Sequence, residues 1–96
     1  MSASVTIIEL RGSIDPLIGL IRDVLLPAAK VQAGFAGLEV LTNQGLGRVF
    51  LITRWQTESA LRAAEVQREY RQAFAQINGL LTIPPVQEHY AVSLLV

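Results

Sequence analysis

The chain holds one histidine, two tyrosines, one tryptophan and no cysteine, which narrows the proton, radical and metal chemistry open to it. His89 lies between Glu88 and Tyr90. Its ordinary pKa is near neutrality, so it is the candidate base for ionising a phenolic substrate. The plainer alternative is a half-buried strand residue hydrogen-bonded to a neighbour or to a second subunit. Arg54 and Arg11 are charges near the ends of strands. A guanidinium there can hold a carboxylate or phenolate in bidentate fashion, or pair with Glu9 or Glu39 across a sheet. Tyr70 and Phe74 stand one helical turn apart, able to floor an aromatic pocket or simply to fill a core. Trp55, with its indole N–H, and Phe50 complete the candidate pocket. Strand alternation puts Phe50, Ile52 and Arg54 on one face and Val49, Leu51, Thr53 and Trp55 on the other. Which face meets the helices depends on register. One His and no Cys leave only carboxylates as further metal ligands, at no recognisable interval, so no metal is expected. The serines form no Ser-His-Asp pattern. The glycines at 34, 45, 47 and 79 suit caps and a hairpin, so no phosphate-bearing cofactor is expected.

The elements that must position these residues are legible in order. Residues 4–11 read as a strand, broken by Gly12-Ser13-Ile14. Asp15-Pro16 starts a helix, with Asp15 as the N-cap. Leu17, Leu20, Ile21, Val24, Ala28 and Val31 form its apolar stripe. Pro27 predicts a kink or break near Leu26, and Gly34 ends the helix. Residues 35–42 form a second strand, Asn43–Gly47 a hairpin loop, and 48–55 a third strand. Thr57 caps a second helix that runs to Asn78-Gly79. Its apolar side carries Ala60, Ala63, Gln67, Tyr70, Phe74, Ile77 and Leu81. Arg62, Glu65, Arg68, Glu69 and Gln72 lie mostly on the solvated side. Pro84-Pro85 stiffens the return to a long last strand at 86–95. This β-α-β-β-α-β order predicts an α+β, ferredoxin-like domain over residues 1–96, with an antiparallel four-stranded sheet. Two right-handed crossovers, each expected to join parallel neighbours, put both helices on one face.

The strands are nearly continuous apolar runs, although the helices cover only one side. With 51% hydrophobic residues and a mean hydropathy of +0.40, the 96-residue chain carries more apolar surface than its own core needs. The expected solution is a homodimer packed sheet against sheet. Eight basic and eight acidic residues cancel, giving no electrostatic reason for nucleic acid or an anionic membrane as partner. Charges and Pro27 interrupt every apolar stretch before it could span a bilayer, and no signal peptide is seen, so a soluble cytoplasmic protein is expected.

Leu25-Leu26-Pro27, Gly34-Phe35 and above all Arg54-Trp55-Gln56-Thr57-Glu58-Ser59-Ala60-Leu61 resemble the antibiotic biosynthesis monooxygenase domain, over about Val5 to Val92. The resemblance implies the dimeric α/β-barrel superfamily: homodimers whose sheets form a barrel, with a pocket in each subunit between its own sheet and helices. It implies cofactor-independent oxygenation of a small electron-rich aromatic, such as a quinol or anthrone. Trp55 would anchor the third strand to the following helix. Many enzymatic members carry a helix-two histidine roughly where this chain has Ala64 and Glu69, and the usual Pro before the second strand's Gly is Ala33. The competing expectation is a non-catalytic dimeric barrel that binds a small apolar ligand or serves in assembly.

Overall fold

In the computed structural model, which describes all 96 residues, alternation along the strands assigns each side chain to one of two unlike faces. Four strands, β1 (Ser2–Glu9), β2 (Phe35–Asn43), β3 (Arg48–Trp55) and β4 (Val86–Ala91), form one sheet in the order β2-β3-β1-β4. Every neighbouring pair is antiparallel. The crossovers therefore join strands that are not neighbours, contrary to expectation: β3 separates β1 from β2, and β1 separates β3 from β4. This is the ferredoxin-like α+β plan, with helices on one face.

On the helix-facing side, Val49, Leu51 and Trp55 of β3 and Ile8 of β1 are at most 1% exposed. Leu17, Ile21, Leu25 and Ala29 pack on them from the first helical segment, and Leu61, Ala64, Tyr70, Ala73 and Ile77 from the second. The other face carries Val5, Ile7, Phe50 and Ile52, each only partly covered, with Leu41 and Val86 half exposed. Three hydroxyl side chains of β1 and β3 point inward: Ser4, Thr6 and Thr53 are 2%, 4% and 1% exposed. An apolar face turned outward and hydroxyls turned inward is the reverse of what a lone sheet on a simple core would show.

The first helical segment comprises α1 (Asp15–Leu20), a π-helical turn (Ile21–Leu25) and α2 (Leu26–Lys30). Asp15 is not the cap; Ser13 Oγ accepts from the Asp15 N–H at 3.2 Å, and Pro16 occupies the first turn. Pro27 does not break the rod. The wider π turn ends just before it and absorbs the hydrogen bond that Pro27 cannot make. That turn keeps Leu17, Ile21, Leu25 and Ala29 on one line, whereas the predicted stripe member Val31 is 78% exposed.

The second helix is broken, where a single one was expected. α3 (Glu58–Val66) and α4 (Arg68–Asn78) meet at Gln67, whose backbone is extended. Thr57 caps α3 as expected, Oγ1 accepting from Ala60 N–H at 3.0 Å. Gln67 caps α4 with Oε1, accepting from Tyr70 N–H at 3.0 Å and from Gln32 Nε2 at 3.2 Å. The break resets the helical phase, so Leu61 and Ala64 are buried where Ala63 was expected. β4 is shorter than predicted. Its last pair is Ala91 with Ser2, and beyond that only the Met1 carbonyl remains, which accepts from Val92 N–H at 2.9 Å. No helix is long and apolar enough to cross a membrane.

Candidate functional site

At one register, Thr53, Ser4 and His89 lie side by side across β3, β1 and β4, all on the helix-facing side. Cross-strand partners hold their Cβ atoms about 4.5–5.5 Å apart, so these three form one polar row. His89 Nε2 lies 2.8 Å from Glu65 Oε2 of α3. Glu65 fell on the solvated side in the sequence reading; the structure turns it toward β4, its side chain 24% exposed against 43% for His89. An ionised carboxylate only accepts, so Nε2 is the donor and Nδ1 keeps the free lone pair.

Behind this pair the hydrogen bonds run into the core. Trp55 is fully buried, and its indole Nε1–H donates to Thr53 Oγ1 at 3.0 Å. Its ring sits edge-on between Phe35 at 5.4 Å and Tyr70 at 5.7 Å, centroid to centroid. Trp55 thus ties the end of β3 to both β2 and α4. Burial pushes the Tyr70 phenol up to about 12, with the nearby Glu65 carboxylate adding to the rise and the Thr53 hydroxyl opposing it. Tyr70 is therefore a neutral hydrogen-bond donor across the physiological range. Gln87 Nε2 donates to Thr6 Oγ1 at 3.4 Å. The Ser4 Oγ alone, among buried side-chain polar atoms, has no partner.

A cleft of about 370 Å³ opens between α4 and the edge strand β4, lined by Glu65, Tyr70, Arg71, Phe74, Ala75, Asn78 and Gln87. Tyr70 and Phe74 form its aromatic wall, their centroids 5.2 Å apart. On the far side of the Glu65–His89 pair lies a smaller recess of about 150 Å³, where His89 meets Ser2, Leu61 and Tyr90. Both exist because β4 is uncovered: all six of its residues are exposed, while the centre of the sheet is filled.

Of the residues picked out in the sequence, the fold brings His89, Tyr70, Phe74 and Trp55 to this side. Arg54 and Phe50 go to the other. Arg54 lies on the open sheet face with Nη1 3.7 Å from Glu39 Oε1, across from Gly37. A Cβ at Gly37 would sit 2.6 Å from the Arg54 Nη2, so the missing side chain is what lets the guanidinium lie across β2. Arg54 and His89 thus lie on opposite faces of the sheet. Glu65, Ser4, Gln87 and Arg71 were missed; their signal is the β1–β4 register and the break at Gln67, neither visible from spacing. No three His, Asp or Glu side chains converge where a metal ion could be held.

No family model matches the chain, and a search of curated proteins finds no match. Solved structures do match. ActVA-Orf6 of Streptomyces coelicolor, a monooxygenase solved with nanaomycin D, superposes with a TM-score of 0.86 at 15% identity, over 99% of this chain and 89% of that one. This is the antibiotic biosynthesis monooxygenase fold. SnoaB, a cofactor-independent oxygenase of Streptomyces nogalater, gives 0.83 at 14% identity, over 99% of this chain and 95% of its own. Rv0793 of Mycobacterium tuberculosis gives 0.75 at 21% identity, over 95% and 93%.

Proposed function

We propose that this monooxygenase-fold chain oxygenates a small hydrophobic aromatic carrying an ionisable hydroxyl, of quinol or anthrone type, without metal or flavin. The carrying observation is the 2.8 Å Glu65–His89 pair beside a cleft walled by Tyr70 and Phe74. His89 Nδ1 takes the proton of the bound aryl hydroxyl, while Glu65 holds the ring through its Nε2–H. The electron-rich anion then passes one electron to O₂. The radical pair recombines, forming a C–O bond at a hydrogen-bearing ring carbon ortho or para to the ionised oxygen, and the His89 imidazolium returns its proton to the peroxide. For an anthrone, the hydroperoxide loses water by O–O cleavage, leaving one oxygen atom as a carbonyl and releasing the other in water. Tyr70, protonated up to about pH 12, is a donor for oxygen-borne charge. The monooxygenases SnoaB and ActVA-Orf6, which share the fold, support the general kind of activity. The working form is a homodimer joined through the open sheet face.

The competing reading, a non-catalytic ligand-binding barrel, draws on the filled centre of the domain, where Trp55, Leu61 and Ile77 are fully buried. Oxygen uptake by metal-free protein with a panel of quinols and anthrones separates the two. The enzyme consumes O₂ above the buffer rate; a well-folded dimer that does not is the binding barrel.

A further inference from the structure

Thr53 stands where the side chains of β3, β1 and α4 meet. It is 1% exposed on the helix-facing side of β3, between Ser4 of β1 and Leu38 of β2. An indole N–H only donates, so the 3.0 Å bond from Trp55 Nε1 makes Thr53 Oγ1 the acceptor. The hydroxyl keeps one proton to give. Ser4 does not take it, since its Oγ has no partner, and the Leu38 side chain has no polar atom. Tyr70 does. Thr53 acts on the phenol by a hydrogen bond that favours the phenolate, as a donor to that oxygen does and an acceptor from it would not.

We infer that Thr53 is a positioning residue, whose hydroxyl donates to Tyr70 Oη and so leaves the Tyr70 proton to point into the cleft. The polarity runs one way, from Trp55 through Thr53 to Tyr70 and on to a bound oxygen. Each donor in such a chain polarises the next. Glu65 also lines the cleft, but it acts on the phenol through its charge and not as a hydrogen-bond acceptor, so it does not claim that proton. The Tyr70 ring is held in place by edge-on contacts with Trp55 at 5.7 Å and Phe74 at 5.2 Å. What remains to be set is the direction of its O–H, and Thr53 sets it. The inference rests on the functional reading above for what the cleft holds, and adds the side chain that aims the Tyr70 donor. Without the Thr53 hydroxyl, the phenol proton has no fixed direction and its donor is weaker.

Tyr70 and Tyr90 are the only tyrosines, so Tyr90→Phe leaves Tyr70 as the sole phenol. Supplying 3-fluorotyrosine to that protein makes the phenol more acidic, brings its titration into a range where the fold persists, and lets fluorine NMR follow it. Thr53→Val is expected to move this titration up by about one pH unit, the worth of one hydrogen bond, and Thr53→Ser to return it. Glu65 and Arg71 are kept throughout, so no charge lining the cleft changes. Where Thr53→Val does not fold, Thr53→Cys, a weaker donor, gives a shift in the same direction. With an anthrone, Thr53→Val is expected to lower kcat about tenfold with KM little changed, and Thr53→Ser to restore it. A titration that moves down, as it would if Thr53 accepted from Tyr70, overturns the inference. So does one that stays still while the unfolding midpoint drops, which is the mark of a threonine that only supports Trp55. An upward shift with unchanged kcat overturns the positioning role. Absence of oxygen uptake by the wild type overturns the functional reading instead, and the titration still decides which way the Thr53 bond runs.

Discussion

At the scale of single residues, the proposed proton transfer falls to one pair, Glu65 and His89. Glu65→Gln keeps the shape of the site but replaces the acceptor that fixes the His89 tautomer with an amide that can present either a donor or an acceptor. Turnover with an anthrone is expected to fall about tenfold or more, with the fold intact by circular dichroism. Tyr70 gives a second prediction. Its folded-state pKa, about 12, lies above the ordinary value of 10.0. The unfolded chain therefore loses this proton first, and the stabilisation is complete below about pH 10 and lost as pH rises toward 12. Urea unfolding across that window should show a decline of about 2 kcal/mol, which Tyr70→Phe flattens. His89 was legible in the sequence because it is the sole histidine. Its placement beside Ser4 and Thr53 was not, because that depends on the β1–β3 and β1–β4 registers.

At the scale of elements, the break at Gln67 does most to shape the site, since it separates α3, which carries Glu65, from α4, which carries Tyr70 and Phe74. Glutamine is not a favoured N-cap, and here a residue distant in sequence, Gln32, holds it in place. That tertiary support is why the sequence read as one continuous helix. Gln67→Ala is expected to cost about 1 kcal/mol in chemical unfolding and to weaken the Glu65–His89 contact, lowering turnover as well. The start of β2 is equally constrained. Gly34 has φ +82°, its carbonyl accepts from Gln56 N–H at 2.7 Å, and a Cβ there would lie 2.6 Å from the Ala60 Cβ. Gly34→Ala should destabilise by about 1–3 kcal/mol, measured by urea midpoint. The glycine was recognised from sequence as a helix stop; its contact with α3 was not. Likewise Pro27 was visible as a fault in a helix, but the π turn that accommodates it depends on keeping Leu17 to Ala29 in one line against the sheet.

At the scale of the whole molecule, the two faces of the sheet are unlike: one packed under the helices, the other apolar and open. The excess of apolar residues pointed to a second apolar face, and the structure shows one, left open, in Val5, Ile7, Phe50 and Ile52. Alternation predicted which residues travel together; it did not tell which set faced the helices. Phe50→Asp should give a folded single subunit by sedimentation, since it charges only the outer face. Leu51→Asp, one residue on, should unfold the domain, because Leu51 is 1% exposed within the core. On the proposed function, the chemistry falls on the helix side, whereas Arg54 lies on the other. The decisive measurement is the rate of oxygen uptake with an anthrone for His89→Ala beside Arg54→Ala. The account predicts a loss of about 100-fold or more for His89→Ala and near wild-type turnover for dimeric Arg54→Ala. An active His89→Ala protein, or an inactive but dimeric Arg54→Ala one, would place the reaction on the wrong side of the sheet and contradict it.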